Sequence, residues 1–235
     1  MFRIIKANIP NTITCLNLLA GCLACIFAFH SQEYFGSLMG YEIAFILIGI
    51  AAIFDFCDGA AARLLHAYSN LGKELDSLSD LISFGLAPTM LIFNTMSYFN
   101  NGGIASYCAL LLAVFGALRL ARFNIDDRQT ETFIGLPIPA NALFWIGVCA
   151  WINKYEYPGD IAIIILILIM SYMMIAPFKM FSLKFQNLYW RANVRRYGII
   201  LAAISFVVFY GIPGFAWTIF LYILLSVFSR KKSDK

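Results

Sequence analysis

The sequence predicts an all-α integral membrane protein, a polytopic bundle of about eight transmembrane helices. Hydrophobic residues make up 61% of the 235 residues and charged residues only 13%, whereas roughly a quarter of a soluble domain is charged. Several apolar stretches reach the roughly 20 residues that cross a bilayer as a helix. Lysine and arginine also fall almost entirely on one side of these stretches, as they do in membrane proteins.

Eight spans are predicted, at residues 11–30, 41–66, 73–97, 103–122, 139–153, 159–178, 197–211 and 213–229. Each is interpreted as helix, because a helix satisfies its own backbone polar groups in lipid. The stretch YGIPG between the last two is so short that these could form one kinked helix. The first span is not interpreted as a cleaved signal peptide, since it contains polar residues and no small-residue cleavage site follows. We expect a single membrane domain over residues 1–235.

The cations predict the orientation. With eight spans both termini lie on one side, which also holds Arg3, Lys6, Arg63, Lys73, Arg119, Arg122, Arg128, Lys179, Lys184, Arg191, Arg195, Arg196, Arg230, Lys231, Lys232 and Lys235. Only Lys154 falls on the other side. The positive-inside rule makes the cation-rich side cytoplasmic. The net charge of +4 is therefore a signal of topology, and no nucleic-acid partner is expected.

Four aspartates lie where the second and third spans meet. Asp55 and Asp58 are three residues apart, and Asp76 and Asp80 are four apart, so each pair shares one face of a helix. The link between the pairs contains SNLG, which indicates a turn. The two helices are therefore expected to form a hairpin that brings all four carboxylates together at its cytoplasmic end.

Such a cluster predicts a metal site. Close carboxylates repel one another unless they are protonated or a cation neutralises them, and ionisable residues within membrane segments usually mark function. All-oxygen ligation suits Mg²⁺ or Mn²⁺, and four carboxylates suffice for two such ions. Two alternatives stay open: aspartates that only cap helix ends, and a cation or lipid transporter. A transporter would spread its acidic residues through the membrane depth.

Small residues separate the two pairs of aspartates. The run from Gly59 to Ala62, and Gly72 opposite it, could serve close helix packing or leave room for a bulky anion. Arg63 follows directly, and its guanidinium matches phosphate oxygens. Ser69 could donate to a phosphate or belong to the turn alone.

The stretch DFCDGAAARLLHAYSNLGKELDSLSD (55–80) fits the pattern D-x2-D-G-x2-A-R-x8-G-x3-D-x3-D and thus resembles the CDP-alcohol phosphatidyltransferase family. Every fixed position matches: Asp55, Asp58, Gly59, Ala62, Arg63, Gly72, Asp76 and Asp80. The stretches IPNTITCLNLLAG (9–21), RLARFN (119–124) and GLPIPA (135–140) are similar to those of membrane-embedded members that use serine. The resemblance covers roughly the first 140 residues well.

The resemblance implies an enzyme that transfers the phosphatidyl group of CDP-diacylglycerol to L-serine, giving phosphatidylserine and CMP at an active site facing the cytosol. Another acceptor, such as glycerol phosphate or inositol phosphate, stays open, and a homodimer is expected. The four aspartates would hold two divalent ions, Mg²⁺ or Mn²⁺, and Asp80 would also be the general base. The CDP-diacylglycerol site would include Gly59, Ala62, Arg63, Ser69 and Gly72.

Two further pairs of residues are candidates for substrate contacts. Asn11 and Thr14 lie on one side of the first helix, where they either touch the nucleotide or serve helix packing. Arg119 and Arg122 lie at the cytoplasmic end of the fourth span. They either hold the carboxylate of the serine acceptor or anchor the helix at the interface by snorkelling.

Overall fold

The computed structural model describes residues 2–125, 133–180 and 190–229. These ranges contain nine α-helices: α1 (Phe2–Phe29), α2 (Gly40–Leu65), α3 (Asn70–Asp80), α4 (Ala87–Phe99), α5 (Leu110–Ile125), α6 (Ile138–Lys154), α7 (Asp160–Ile175), α8 (Trp190–Tyr210) and α9 (Gly214–Ser229). A π-helical turn (Leu81–Leu86) joins α3 to α4, and a 3₁₀ turn (Ile104–Ala109) leads into α5. Strand β1 (Tyr34–Phe35) pairs antiparallel with β2 (Leu38–Met39), and β3 (Phe133–Ile134) pairs antiparallel with β4 (Lys179–Met180).

Each predicted span corresponds to one helical segment. The third is one continuous rod from Asn70 to Phe99, built from α3, the π-helical turn and α4. The last two predicted spans are separate helices rather than one kinked helix. Gly211 has a φ of 74°, a left-handed conformation in which glycine commonly ends a helix, and α9 begins three residues later.

The helix ends form two groups at opposite ends of the bundle. At one end, the side chain of Gln32 after α1 donates to Asn153 near the end of α6, at 3.0 Å. At the other end, Arg122 of α5 donates to the carbonyl of Ile175, the last residue of α7, at 3.2 Å. Strands β3 and β4 pair at this second end. The ends of α1 and α6 therefore lie together, and so do the ends of α5 and α7.

The outer faces of the helices are apolar. Four segments are long and apolar enough to cross a bilayer: Asn8–Phe29, Gly40–Leu65, Asn70–Phe99 and Ile104–Ile125. Exposed side chains on α2 and α8 include Ile53, Phe56, Val208 and Phe209, each exposed by 63% or more. Large exposed apolar patches of this kind mark a membrane surface. The structure is thus that of a helical membrane protein.

The number of crossings and the cytoplasmic side stay predictions. Some of the cations used to predict them lie outside the described residues: Arg128, Lys184, Arg230, Lys231, Lys232 and Lys235. Within the described ranges, Arg63, Lys73, Arg119 and Arg122 lie near the end where α2 meets α3, whereas Lys154 ends α6 at the opposite end.

Small residues let α1 pack closely against its neighbours. Buried alanines on α1 and α2 lie at Ala20, Ala24, Ala28, Ala44 and Ala51. At Gly21, an added Cβ would lie 2.8 Å from the Cα of Ser83 in the π-helical turn. Small side chains at such positions allow backbones to approach closely in membranes. This packing fixes α1 against both helices that carry the aspartates.

Candidate active site

Helix α2 brings the first two aspartates to the inside of the bundle. Asp58 is buried and Asp55 is half-buried, whereas Phe56 and Cys57 between them are exposed. This alternation follows from the helical repeat, in which residues three apart share a face. His66 then ends the helix in a left-handed conformation with a φ of 49°. The carboxylates therefore point inward within the last turns of α2.

Helix α3 begins at Asn70, after the short link that follows α2. Ser69 is its N-cap, and its Oγ accepts a hydrogen bond from the backbone N–H of Gly72 at 3.0 Å. Of the two roles considered for Ser69, the local one is thus observed. Asp76 and Asp80 follow on one face, and the π-helical turn begins directly after Asp80. Such turns occur frequently at functional sites.

Three of the four aspartates converge. Carboxylate oxygens of Asp55, Asp76 and Asp80 all lie within 4.8 Å of one another. The Oδ1 atom of Asp80 is buried and has no hydrogen-bond partner within the described ranges. In the same part of the chain, no lysine or arginine forms an ion pair with these carboxylates. An all-oxygen donor set of this kind fits a hard divalent cation such as Mg²⁺ or Mn²⁺.

Asp58 is not among the carboxylates that lie within 4.8 Å of one another, so the expectation that all four meet in one spot stays a prediction. Its Oδ2 accepts a hydrogen bond of 2.6 Å from the hydroxyl of Thr14 on α1. Asp58 also lies about 4.5 Å further along the axis of α2 than Asp55, at about 1.5 Å per residue. Asp58 lines a cavity next to the cluster.

This cavity has a volume of about 230 Å³ and lies between α1, α2 and the start of α3. It is lined by Pro10, Asn11, Thr14, Asp58, Gly59, Ala62, Ala67, Tyr68, Ser69, Gly72, Lys73 and Asp76. Six of the seven residues considered for CDP-diacylglycerol binding are among them, and the seventh, Arg63, is exposed. Its Nη1 lies 3.5 Å from where a Cβ on Gly59 would stand. The structure thus gathers these residues in one place, while their roles stay predictions.

Gly72 has a steric requirement in this cavity. A Cβ at this position would lie 2.9 Å from Oδ1 of Asn11 and 3.1 Å from Oγ of Ser69. Any larger residue would push α3 away from α1 or displace Asn11. Because Gly72 has no side chain, α1 and α3 can approach closely at this side of the cavity.

The two arginines of α5 have different surroundings. Arg119 is 7% exposed, and its Nε has no hydrogen-bond partner in the part of the chain that the structure describes. Asp80 and Tyr222 are close enough to interact with it electrostatically. Arg122 is exposed and donates instead to the end of α7. Of the two, Arg119 is the one that interacts electrostatically with Asp80, so the structure separates two residues that were considered as a pair.

Sequence reasoning missed several polar contacts that support the site. Ser79 donates to the carbonyl of Thr14 at 3.3 Å, and Ser83 donates to Oδ1 of Asn17 at 2.8 Å. Ser79 and Ser83 are four residues apart and therefore share one face of their helical segment. This spacing was the sequence signal available for a contact with the polar face of α1. Tyr222 gave no local signal, because it reaches Arg119 from a helix distant in the sequence.

A carboxylate cluster that fits divalent cations lies beside a cavity at one end of an apolar helical bundle, an arrangement that suits a membrane-embedded enzyme. The family model described as CDP-alcohol phosphatidyltransferase matches residues 7–186. Because this match covers more than half of the chain, the protein belongs to the CDP-alcohol phosphatidyltransferase family. The sequence-based recognition of the family and the prediction of a transferase are thereby confirmed.

Three curated relatives are similar to most of this chain. A protein of Methanocaldococcus jannaschii is 39% identical over 172 residues, covering 73% of this chain and 75% of its own length. One of Bacillus subtilis is 39% identical over 171 residues, covering 73% of this chain and 88% of its own length. One of Helicobacter pylori is 35% identical over 150 residues, covering 63% and 60% respectively. All three are named CDP-diacylglycerol–serine O-phosphatidyltransferase.

Proposed function

We propose that the protein transfers the phosphatidyl group of CDP-diacylglycerol to the hydroxyl of L-serine, producing phosphatidylserine and CMP. The observation that carries the proposal is the cluster of Asp55, Asp76 and Asp80 beside a cavity lined by the family's motif residues. Serine is favoured over glycerol phosphate and inositol phosphate because the relatives named above carry the serine activity in their names.

The metal-binding part of the proposal concerns the aspartates. Asp55, Asp76 and Asp80 would hold the divalent cations, Mg²⁺ or Mn²⁺, with Asp58 as the fourth ligand. Such ions, when bound, neutralise negative charge on the phosphate groups of the substrate. The buried, unpartnered Oδ1 of Asp80 and the absence of an ion pair to these carboxylates within the described ranges support this assignment.

The nucleotide part of the lipid substrate would occupy the cavity. Gly59 and Gly72 line it without side chains and so leave space, and the side-chain amide of Asn11 lines it as well. Arg63, exposed beside Gly59, would pair with a phosphate of the CDP group. The acyl chains would lie against the apolar outer faces of the helices, so the diphosphate is held at the membrane boundary.

The acceptor would be held between Arg119 and Asp80. A buried guanidinium beside a carboxylate can bind the serine carboxylate while the serine hydroxyl faces Asp80. Asp80 would accept the hydroxyl proton as general base. The serine oxygen would form a bond to the phosphorus next to diacylglycerol, and the bond from that phosphorus to the phosphate oxygen of CMP would break.

Topology and domain extent complete the proposal. We infer eight crossings, with both termini and the site at the cytoplasmic side, from the distribution of cations. We also infer that α8 and α9, which lie beyond the family match, belong to the same domain. This is supported by close packing of α9 on α6, where a Cβ on Gly147 would lie 2.9 Å from the Cβ of Ala216.

The test is CMP release from CDP-diacylglycerol in detergent micelles, with serine, glycerol phosphate and inositol phosphate offered as separate acceptors. We expect release with serine only, and labelled serine should appear in the lipid fraction. Asp76→Asn should abolish release, whereas Glu74→Gln on the exposed face of α3 should not. Faster release with either phosphorylated alcohol would refute the choice of serine.

A further inference from the structure

We propose that Thr14 is a positioning residue, whose hydroxyl orients the carboxylate of Asp58 as a ligand for the divalent cation. The inference rests on the proposed function, because that function makes Asp58 a metal ligand. It assigns to α1 a part in building the metal site, in addition to lining the cavity. The hydrogen bonds of Thr14, the burial of its partners and the direction of its contacts carry the argument.

The first observation is the bond between Thr14 and Asp58. The hydroxyl of Thr14 lies 2.6 Å from Oδ2 of Asp58, a distance typical of a hydroxyl that donates to a charged carboxylate. Both residues are buried, at 3% and 6% exposure. A charge-assisted bond in such surroundings holds the carboxylate in one orientation, and it joins residues 44 positions apart on different helices.

The second observation is that the same hydroxyl has an alternative acceptor. It also lies 3.0 Å from the carbonyl of Pro10, one turn earlier on α1. A hydroxyl has one proton to donate, and the nearer, charged carboxylate is the stronger acceptor. The bond to Asp58 is therefore the preferred one, and it is the bond that orients the carboxylate.

The third observation is that Thr14 also contacts the other aspartate-bearing helix. Its backbone carbonyl accepts a hydrogen bond of 3.3 Å from Ser79, a fully buried residue between Asp76 and Asp80. One residue of α1 thus bonds α2 through its side chain and α3 through its main chain. This double contact sets the position of Asp58 relative to the three clustered carboxylates.

The lone pairs of the Asp58 carboxylate allow it to accept the bond from Thr14 and still bind a cation. An ionised carboxylate offers about four lone-pair sites, and the bond from Thr14 occupies one of them on Oδ2. The remaining sites stay available for a cation on the side of the cavity, which Asp58 and Asp76 both line. Hydrogen-bonding partners of ligating carboxylates fix their orientation, and losing one typically lowers metal affinity about 10- to 100-fold.

The test uses three single variants of the full-length protein in detergent, without substrate. Thr14→Val keeps the shape and the main-chain bond to Ser79 but removes the hydroxyl. Thr14→Ser keeps the hydroxyl. Thr12→Val is the matched control, because Thr12 is exposed on the same helix and its hydroxyl donates only to the carbonyl of Asn8. Free Mn²⁺ is measured by electron paramagnetic resonance during titration, and the thermal unfolding of the metal-free protein is recorded alongside.

We expect Thr14→Val to weaken Mn²⁺ binding about 10- to 100-fold and to lower the unfolding temperature of the metal-free protein, because the buried carboxylate of Asp58 loses a donor. Thr14→Ser and Thr12→Val should bind Mn²⁺ as the wild type does.

Unchanged Mn²⁺ binding in Thr14→Val would overturn the inference. Equally weak binding in Thr14→Ser would also overturn it, because the methyl group would then be the important part of the side chain. Absence of Mn²⁺ binding in the wild type would overturn the metal site and the inference with it. If Mn²⁺ binding depends on the hydroxyl but serine supports no CMP release, the inference stands and the proposed function fails.

Discussion

Replacing Asp76 with asparagine should stabilise the metal-free protein while removing its response to divalent cations. Asp76 lies within 4.8 Å of both Asp55 and Asp80, and no lysine or arginine in the described ranges forms an ion pair with it. Without metal, the variant loses two repulsive interactions. Asparagine keeps the size of the side chain, so the packing of α3 against α1 and α2 should be preserved.

The size of the effect follows from the separation of the charges. Two unit charges 4.8 Å apart repel by about 3.5 kcal/mol at an effective dielectric constant of about 20. Two such pairs give about 7 kcal/mol when all three carboxylates are ionised. Protonation of one carboxyl relieves part of this repulsion in the wild type. We therefore expect a gain of about 1–2 kcal/mol in the free energy of unfolding, or about 2–4 °C in unfolding temperature for each kcal/mol.

The assay is thermal unfolding in detergent, first with a chelator and then with increasing Mg²⁺ or Mn²⁺. The wild type should gain stability with metal, because a ligand that binds only the folded state stabilises it, whereas Asp76→Asn should gain little. Glu74→Gln removes a negative charge from the exposed side of the same helix and should behave as the wild type. A lower unfolding temperature for Asp76→Asn in chelator would refute the reasoning from repulsion.

Three further predictions concern chemistry, the acceptor and topology. Asp80→Asn should lower kcat about 10²- to 10⁴-fold and retain CDP-diacylglycerol binding; lost binding with normal kcat would contradict the role of general base. Arg119→Ala should raise the KM for serine, and kinetics in which only the KM for CDP-diacylglycerol changes would contradict the carboxylate contact. Lys73→Cys and Lys232→Cys should react with an impermeant maleimide from the cytoplasm and Lys154→Cys from outside. Labelling of positions 73 and 154 from one side would contradict the predicted spans.

The sequence predicted the helical segments well because membrane helices carry their signal locally. Long apolar runs have few alternatives in lipid, where backbone polar groups must be satisfied within the segment. The π-helical turn after Asp80 was not predicted, since nothing in the stretch LISFGL indicates it. The separation of α8 from α9 was also left open, and it depended on the left-handed conformation of Gly211.

The sequence by itself determined the family, the helical class and the faces of α2 and α3 that carry the aspartates, because residue identity and helical spacing are local properties. Tertiary structure alone decided which carboxylates meet. Asp55, Asp76 and Asp80 converge, and Asp58 bonds Thr14 from a different helix. Arg122 donates to a carbonyl at the end of α7, whereas Arg119 is buried in the interior of the bundle. Such choices depend on contacts between helices distant in sequence, and spacing within one helix does not specify them.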